Sequence, residues 1–201
     1  MSKTERWSLV VNSVLATASV VTVLFVAAQL CIQRDALVRI QRAFIFPEYV
    51  ELCRRSYGGQ DRWEIITGWH NAGLTESPAV TISVGKELVA PGTPPNPAPA
   101  LTKQDTVFLG PQAVTHFGAI PVTIGDLEAV NARKAVFNLY WRASYTDIFG
   151  APHITNAVWQ VRGIPTHFRI MKPDAPVEMD TVAIGTGNCV DAGCGTGARS
   201  Q

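Results

Sequence analysis

The chain opens on one long apolar block and then changes period. Residues 7–32 (WSLVVNSVLATASVVTVLFVAAQLCI) contain no charge. As a helix these 26 residues rise about 39 Å, against a hydrocarbon core about 30 Å thick. The block therefore predicts one transmembrane helix with some tilt. Its polar members, Asn12, Ser13, Thr17, Ser19 and Thr22, are small, and the hydroxyls can bond back to their own helix carbonyls. Trp7 stands where an interfacial aromatic anchor would. A cleaved signal peptide is the rival, with Lys3 and Arg6 as its basic start and Val26-Ala27-Ala28 as its cleavage site. Signal cores run roughly 7–15 residues, however, well short of this block. Leu30 before Cys31 departs from the small residue that a lipoprotein signal requires.

Residues 33–42 (QRDALVRIQR) continue helically, with Ala36, Leu37 and Ile40 as one apolar stripe beside an arginine-rich face. This reads as a juxtamembrane stalk whose arginines can meet anionic headgroups, or equally as a solvated helix end. From Ala43 the period becomes two. Strands are predicted over 43–53, 63–70, 79–84, 106–109, 113–120, 135–145, 154–161 and, at the end, 167–171. Pro47 marks the first as an edge or bulge. In 135–145 the residues Phe137, Leu139, Trp141, Ala143 and Tyr145 alternate with Asn138, Tyr140, Arg142 and Ser144, one buried face against one wetter face. Residues 123–132 (TIGDLEAVNA) predict a short helix capped by Thr123 or Gly125, with Asp126 and Glu128 at its positive end. Residues 90–100 (APGTPPNPAPA) hold five prolines, which cannot donate to a sheet ladder, so an extended surface loop is expected there. From Lys172 the pattern is lost, and the glycine-rich end predicts a mobile tail. The organisation is then a short tail at 1–6, a transmembrane helix at 7–32, a stalk at 33–42, a mainly β domain at 43–171 and a tail at 172–201. An antiparallel β-sandwich with one short helix is the expected fold.

Several stretches resemble a group of uncharacterised bacterial proteins with one N-terminal transmembrane helix and a small immunoglobulin-like β domain. They are Arg42-Ala43-Phe44-Ile45, Asn71-Ala72-Gly73 with Pro78-Ala79, and residues 145–150 (YTDIFG) followed by His153. The likeness covers roughly residues 7–162. It implies topology, an immunoglobulin-like fold and a bacterial inner (plasma) membrane location, and it implies no activity.

Composition narrows the function classes. The charged fraction is 16% and the apolar fraction 47%. Beyond residue 32 the remaining 15 Lys/Arg and 15 Asp/Glu cancel. Such a domain lacks the clustered cations that displace counterions from nucleic acid. The side of the membrane is a balance of two arguments. Arg34, Arg39 and Arg42 after the span outnumber Lys3 and Arg6 before it, which favours a cytoplasmic domain. Large domains translocate largely regardless of such charges, and the cysteines near the C-terminus favour an oxidising side. The domain is therefore expected outside the cytoplasm, with a cytoplasm-facing accessory subunit as the alternative.

Candidate chemistry is sparse. His70, His116, His153 and His167 show no metal-ligand spacing, and a strand histidine usually makes one hydrogen bond. No nucleophile elbow is present, and the glycine runs near the C-terminus lack the features of a phosphate loop. No cofactor is expected. Cys189 and Cys194 are spaced to close a small disulfide loop in an oxidising compartment; free thiols or half of a zinc site shared between subunits are the alternatives. The lead expectation is a non-enzymatic module tethered to a lipid bilayer that binds or scaffolds a protein partner or a second copy. Its contact residues would be Pro94, Pro95 and Pro97 of the proline-rich loop, or Phe149 and His153 of the hairpin. The loop also reads as a stiff linker between strands. A metal-dependent enzyme or sensor using His70, His116 or His153 is the second reading.

Overall fold

A computed structural model describes residues 3–166, 168–185 and 188–191. The chain forms two compact units, residues 1–41 and residues 42–201.

The first unit is one unbroken helix, α1 (Lys3–Gln41), so the expected span and stalk are a single element. Residues 6–38 are long and apolar enough to cross a membrane, with mean hydropathy 2.3, a property that a signal sequence shares. The hydroxyls of Thr17, Ser19 and Thr22 donate to the carbonyls of Ser13, Leu15 and Ala18 at 2.8–2.9 Å. That removes their unpaired donors, which is what lets such residues sit in an apolar helix.

The second unit is mainly β, built from two antiparallel sheets. One contains β1 (Ile45–Tyr57), β2 (Gln60–Asn71), β5 (Val114–Val122) and β8 (Val177–Glu178), in the order β5-β2-β1-β8. The other runs β10 (Cys189–Val190), β7 (Pro152–Gly163), β6 (Val136–Thr146), β3 (Ser77–Val89), β4 (Thr102–Leu109), with β9 (Asp180–Ala183) also on β7. Val50, Leu52, Ile65 and Trp69 of the first sheet and Ile82, Phe137, Leu139 and Trp141 of the second share one hydrophobic core. The helix α2 (Ile124–Asn131) is capped by Thr123, whose side chain accepts from the Asp126 amide while its own amide donates to the Asp126 carboxylate, and it buries Leu127 and Val130.

Two expectations are corrected. Residues 168–170 form a 3-10 turn rather than a last strand, with Phe168 buried edge-on to Trp63. Of the stretch expected as a mobile tail from Lys172, the described part supplies β8 to one sheet and β9 and β10 to the other, and residues 192–201 lie outside the described residues. Strands of two to four residues leave almost no periodic trace, and each forms only because a longer edge offers it a ladder.

The alternation expected in β6 is also incomplete, since residues 136–141 are all buried. The proline-rich loop lies over the outer face of the second sheet. The Asn96 amide donates to the Tyr140 hydroxyl at 2.8 Å, and Tyr140 and the Asn96 side chain both donate to Glu87 at 2.9 and 2.7 Å. Gly85 of β3 admits this crossing, because a Cβ there would stand 2.4 Å from the Ala100 carbonyl. Beside it β9 and β10 pair with the edge of β7, where Asn188 accepts from the Val158 amide at 2.9 Å.

Candidate functional site

The stretches that carried the resemblance meet at one end of the β unit, where the chain enters at Arg42. Strand register sets this up. β2 ends there at Asn71, β3 begins at Ser77, β4 ends at Leu109, β6 ends at Thr146 and β7 begins at Pro152. Asn71 is fully buried and every polar atom of its side chain is used. Its oxygen accepts from the amides of Phe44 and Gly73, both at 3.0 Å. Its nitrogen donates to the carbonyls of Thr75 and Gly110 at 2.8 and 3.0 Å. One side chain thus joins three separate backbone segments. Gly73 completes the joint: a Cβ there would lie 2.2 Å from the Arg42 carbonyl.

Beside this clamp lies a charged chain of four residues. Asp147 opens the β6–β7 turn and is buried. One of its oxygens accepts from the amides of Phe149 and Ala151, both at 2.9 Å, and the other faces His153 Nε2 at 2.8 Å. His153 Nδ1 faces an Asp191 oxygen at 3.0 Å, and the second Asp191 oxygen accepts from Arg42 at 2.7 Å. Both ring nitrogens thus face carboxylates. The Tyr145 ring lies 5.2 Å from that of His153, centroid to centroid, and its hydroxyl accepts from the Ile45 amide at 3.4 Å.

The electrostatics follow from these contacts. Burial alone would raise the Asp147 carboxyl pKa, but the His153 bond and the Ala151 and Phe149 amides outweigh it and hold it below its usual value. Burial pushes the Tyr145 hydroxyl up, so it stays protonated. The cluster pairs two acids with two bases, and its geometry suits holding segments together more than moving a proton to a substrate.

His70 and His116 stand outside this charged chain. His70 pairs with Glu48 at 3.4 Å. His116 faces the Tyr49 hydroxyl at 3.0 Å and Glu51 at 3.2 Å, on the outer face of the first sheet. The Tyr49 ring lies over Gly68, where a Cβ would come within 2.3 Å of it. Burial, then Glu51, raises the Tyr49 pKa. Among the described residues no group of three His, Cys, Asp or Glu is arranged to hold a metal ion. His167 lies outside the described residues.

The expected contact residues separate to opposite ends. Pro94 and Pro97 are exposed and Pro95 is half-buried, at the end of β3 far from Arg42. Phe149 is exposed at the entry end, while His153 is held inside the charged chain. Cys189 is disulfide-bonded, and Cys31 and Cys53 are free. Cys194 lies outside the described residues. A cleft of about 220 Å³ near the far end is lined by Arg54, Asp61, Trp63, Ile124, Phe168 and Arg169. Its arginines are committed, Arg54 to Asp61 and Arg169 to Glu128.

Sequence reasoning missed Asn71, Asp147, Asp191 and Arg42 as one assembly. Two local signals were available: Asp147 three residues before Gly150, which has φ +82°, is an Asx-type turn, and Asn71 before a glycine is another. No family model, curated protein or solved structure matches the chain.

Proposed function

We propose that this chain is a single-pass protein of a bacterial inner membrane. Its immunoglobulin-like β-sandwich, on the extracytoplasmic side, binds or scaffolds a protein partner through the proline-rich segment. The apolar run within α1 supports the tether. Two antiparallel sheets over one core support the sandwich.

One observation carries the choice of surface. The proline-rich segment is pinned by the Asn96–Tyr140–Glu87 bonds at the end remote from Arg42, with Pro94 and Pro97 left exposed. A rigid extended ridge loses little conformational entropy on binding, which is the advantage of proline-rich ligands.

The test is photo-crosslinking in native membranes from positions 94 and 97, with position 134 on the α2–β6 connection as control. One defined adduct from 94 and 97, weakened by Asn96→Ala, is expected. Equal labelling at all three positions, or none, would overturn the reading.

A further inference from the structure

The three turns at the entry end differ in kind from the turns at the far end. They are residues 72–76 (AGLTE), 110–113 (GPQA) and 147–151 (DIFGA). They contain no Lys or Arg, and of their two acids Asp147 is buried, leaving Glu76 in water. Their tips expose apolar side chains: Leu74 at 60%, Ile148 at 50% and Phe149 at 45%. Phe108 and Val114, both exposed, flank the second turn. At the far end the exposed apolar side chains instead stand among charges: Ile124 shares its helix and the following connection with Asp126, Glu128, Arg133 and Lys134, and Ile170, 80% exposed, lies between Arg169 and Lys172.

These tips are fixed rather than floppy. Asp147 pins the third turn through two amides and His153, and Asn71 pins the first and second. The first and third turns are also tied to the point where the chain enters. Leu74 follows Gly73, which packs on the Arg42 carbonyl, and the third turn reaches Arg42 through His153 and Asp191.

Chain length limits how far that point can stand from the lipid. The 39 residues of α1 rise about 58 Å. Tilted by roughly 20–40°, they span about 45–55 Å, against about 40–45 Å for a bilayer with its headgroups. No more than about 15 Å is left to share between the two helix ends. Arg42 is the next residue along the chain.

We infer that this apolar rim is a lipid-contacting surface: Leu74, Ile148 and Phe149 enter the headgroup layer of the bilayer that holds α1. The inference rests on the membrane-anchored reading above. Apolar tips without cations gain from the headgroup–acyl boundary itself and need no anionic lipid. Glu76, beside Leu74, stays on the aqueous side.

The test uses the full chain in nanodiscs of phosphatidylcholine alone. Trifluoromethyl-phenylalanine is placed singly at Phe149, Leu74, Leu88 at the far end, and Leu24 within α1. Fluorine relaxation is read with a nitroxide lipid labelled near the headgroup, then with a soluble gadolinium chelate. The expected result is several-fold more broadening by the nitroxide lipid at 149 and 74 than at 88, with less broadening by the chelate. If 149 and 74 behave like 88 while 24 is broadened by the nitroxide, the anchor stands and this inference fails. If 149 and 74 respond to neither agent, protein covers the rim and the lipid assignment is overturned. If 24 itself escapes the nitroxide, the anchored reading falls, and the inference with it.

Discussion

At the residue scale, the entry end depends on the buried side chains of Asn71 and Asp147 and on the absence of one at Gly73. Asp147 is buried and makes two amide bonds besides its contact with His153. Removing it takes away the acceptor of both amides and the partner of His153. Asp147→Ala should cost about 3 kcal/mol or more of stability near neutral pH, measured by urea unfolding of the full chain in detergent. The pH dependence has a definite sign. The folded pKa of Asp147 is depressed below its ordinary 3.8. Its contribution is therefore complete above that ordinary value and is lost as pH falls through the folded one. The gap between the parent and Asp147→Ala should narrow as the medium is acidified below pH 4, and a constant or widening gap would refute the assignment. Gly73 and Gly68 offer a paired comparison. A Cβ at Gly73 meets backbone, which cannot yield without moving Arg42 and Phe44, so Gly73→Ala should cost about 2–3 kcal/mol. A Cβ at Gly68 meets the end of the Tyr49 side chain, which can swing away from His116, so Gly68→Ala should cost about 1 kcal/mol. Equal losses would show that the Arg42–Gly73 contact has no special role.

At the element scale, the proline-rich loop covers the outer face of the second sheet, while β9 and β10 extend that sheet at the edge of β7. The loop's anchors are few, which makes it separable. Asn96→Ala removes the side-chain bonds to Glu87 and from the Ala98 amide, leaving the Asn96 backbone bond to Tyr140 and the core between the sheets untouched. Amide hydrogen exchange over residues 90–100 should quicken about tenfold or more, since freeing bonds of this kind shifts local opening by about 1.5 kcal/mol, while β1 and β2 keep their protection. Loss of protection across both sheets would mean that the loop is part of the global fold. The strands themselves were largely legible: the alternation in 135–145 gives β6, and Thr123 with Asp126 gives the start of α2. β8, β9 and β10 were not, because a ladder of two to four residues is created by its neighbour and not by its own side chains. The consecutive burial of 136–141 was hidden for a related reason, since sequence shows which residues tolerate burial and not which surface is later covered.

At the scale of the whole molecule, the cysteines offer a test of the proposed compartment. Cys189 is oxidised, while Cys53 is free and buried, with burial raising its pKa. With the domain outside the cytoplasm, an impermeant maleimide on intact spheroplasts should label Cys189 only after reduction. Labelling that requires lysis of the cells would place the domain in the cytoplasm instead.

What the sequence determined alone is what depends on local physics. An uncharged run must form a helix that satisfies its own backbone bonds, alternation must form strands, and prolines must leave the ladder. Only the tertiary structure decided which polar residues became partners. Arg42 and Asp191 are 149 residues apart, and Asn71 reaches backbone at Phe44 and Gly110. No local pattern encodes such a meeting, because it follows from strand order, and strand order is settled by the packing of the whole core.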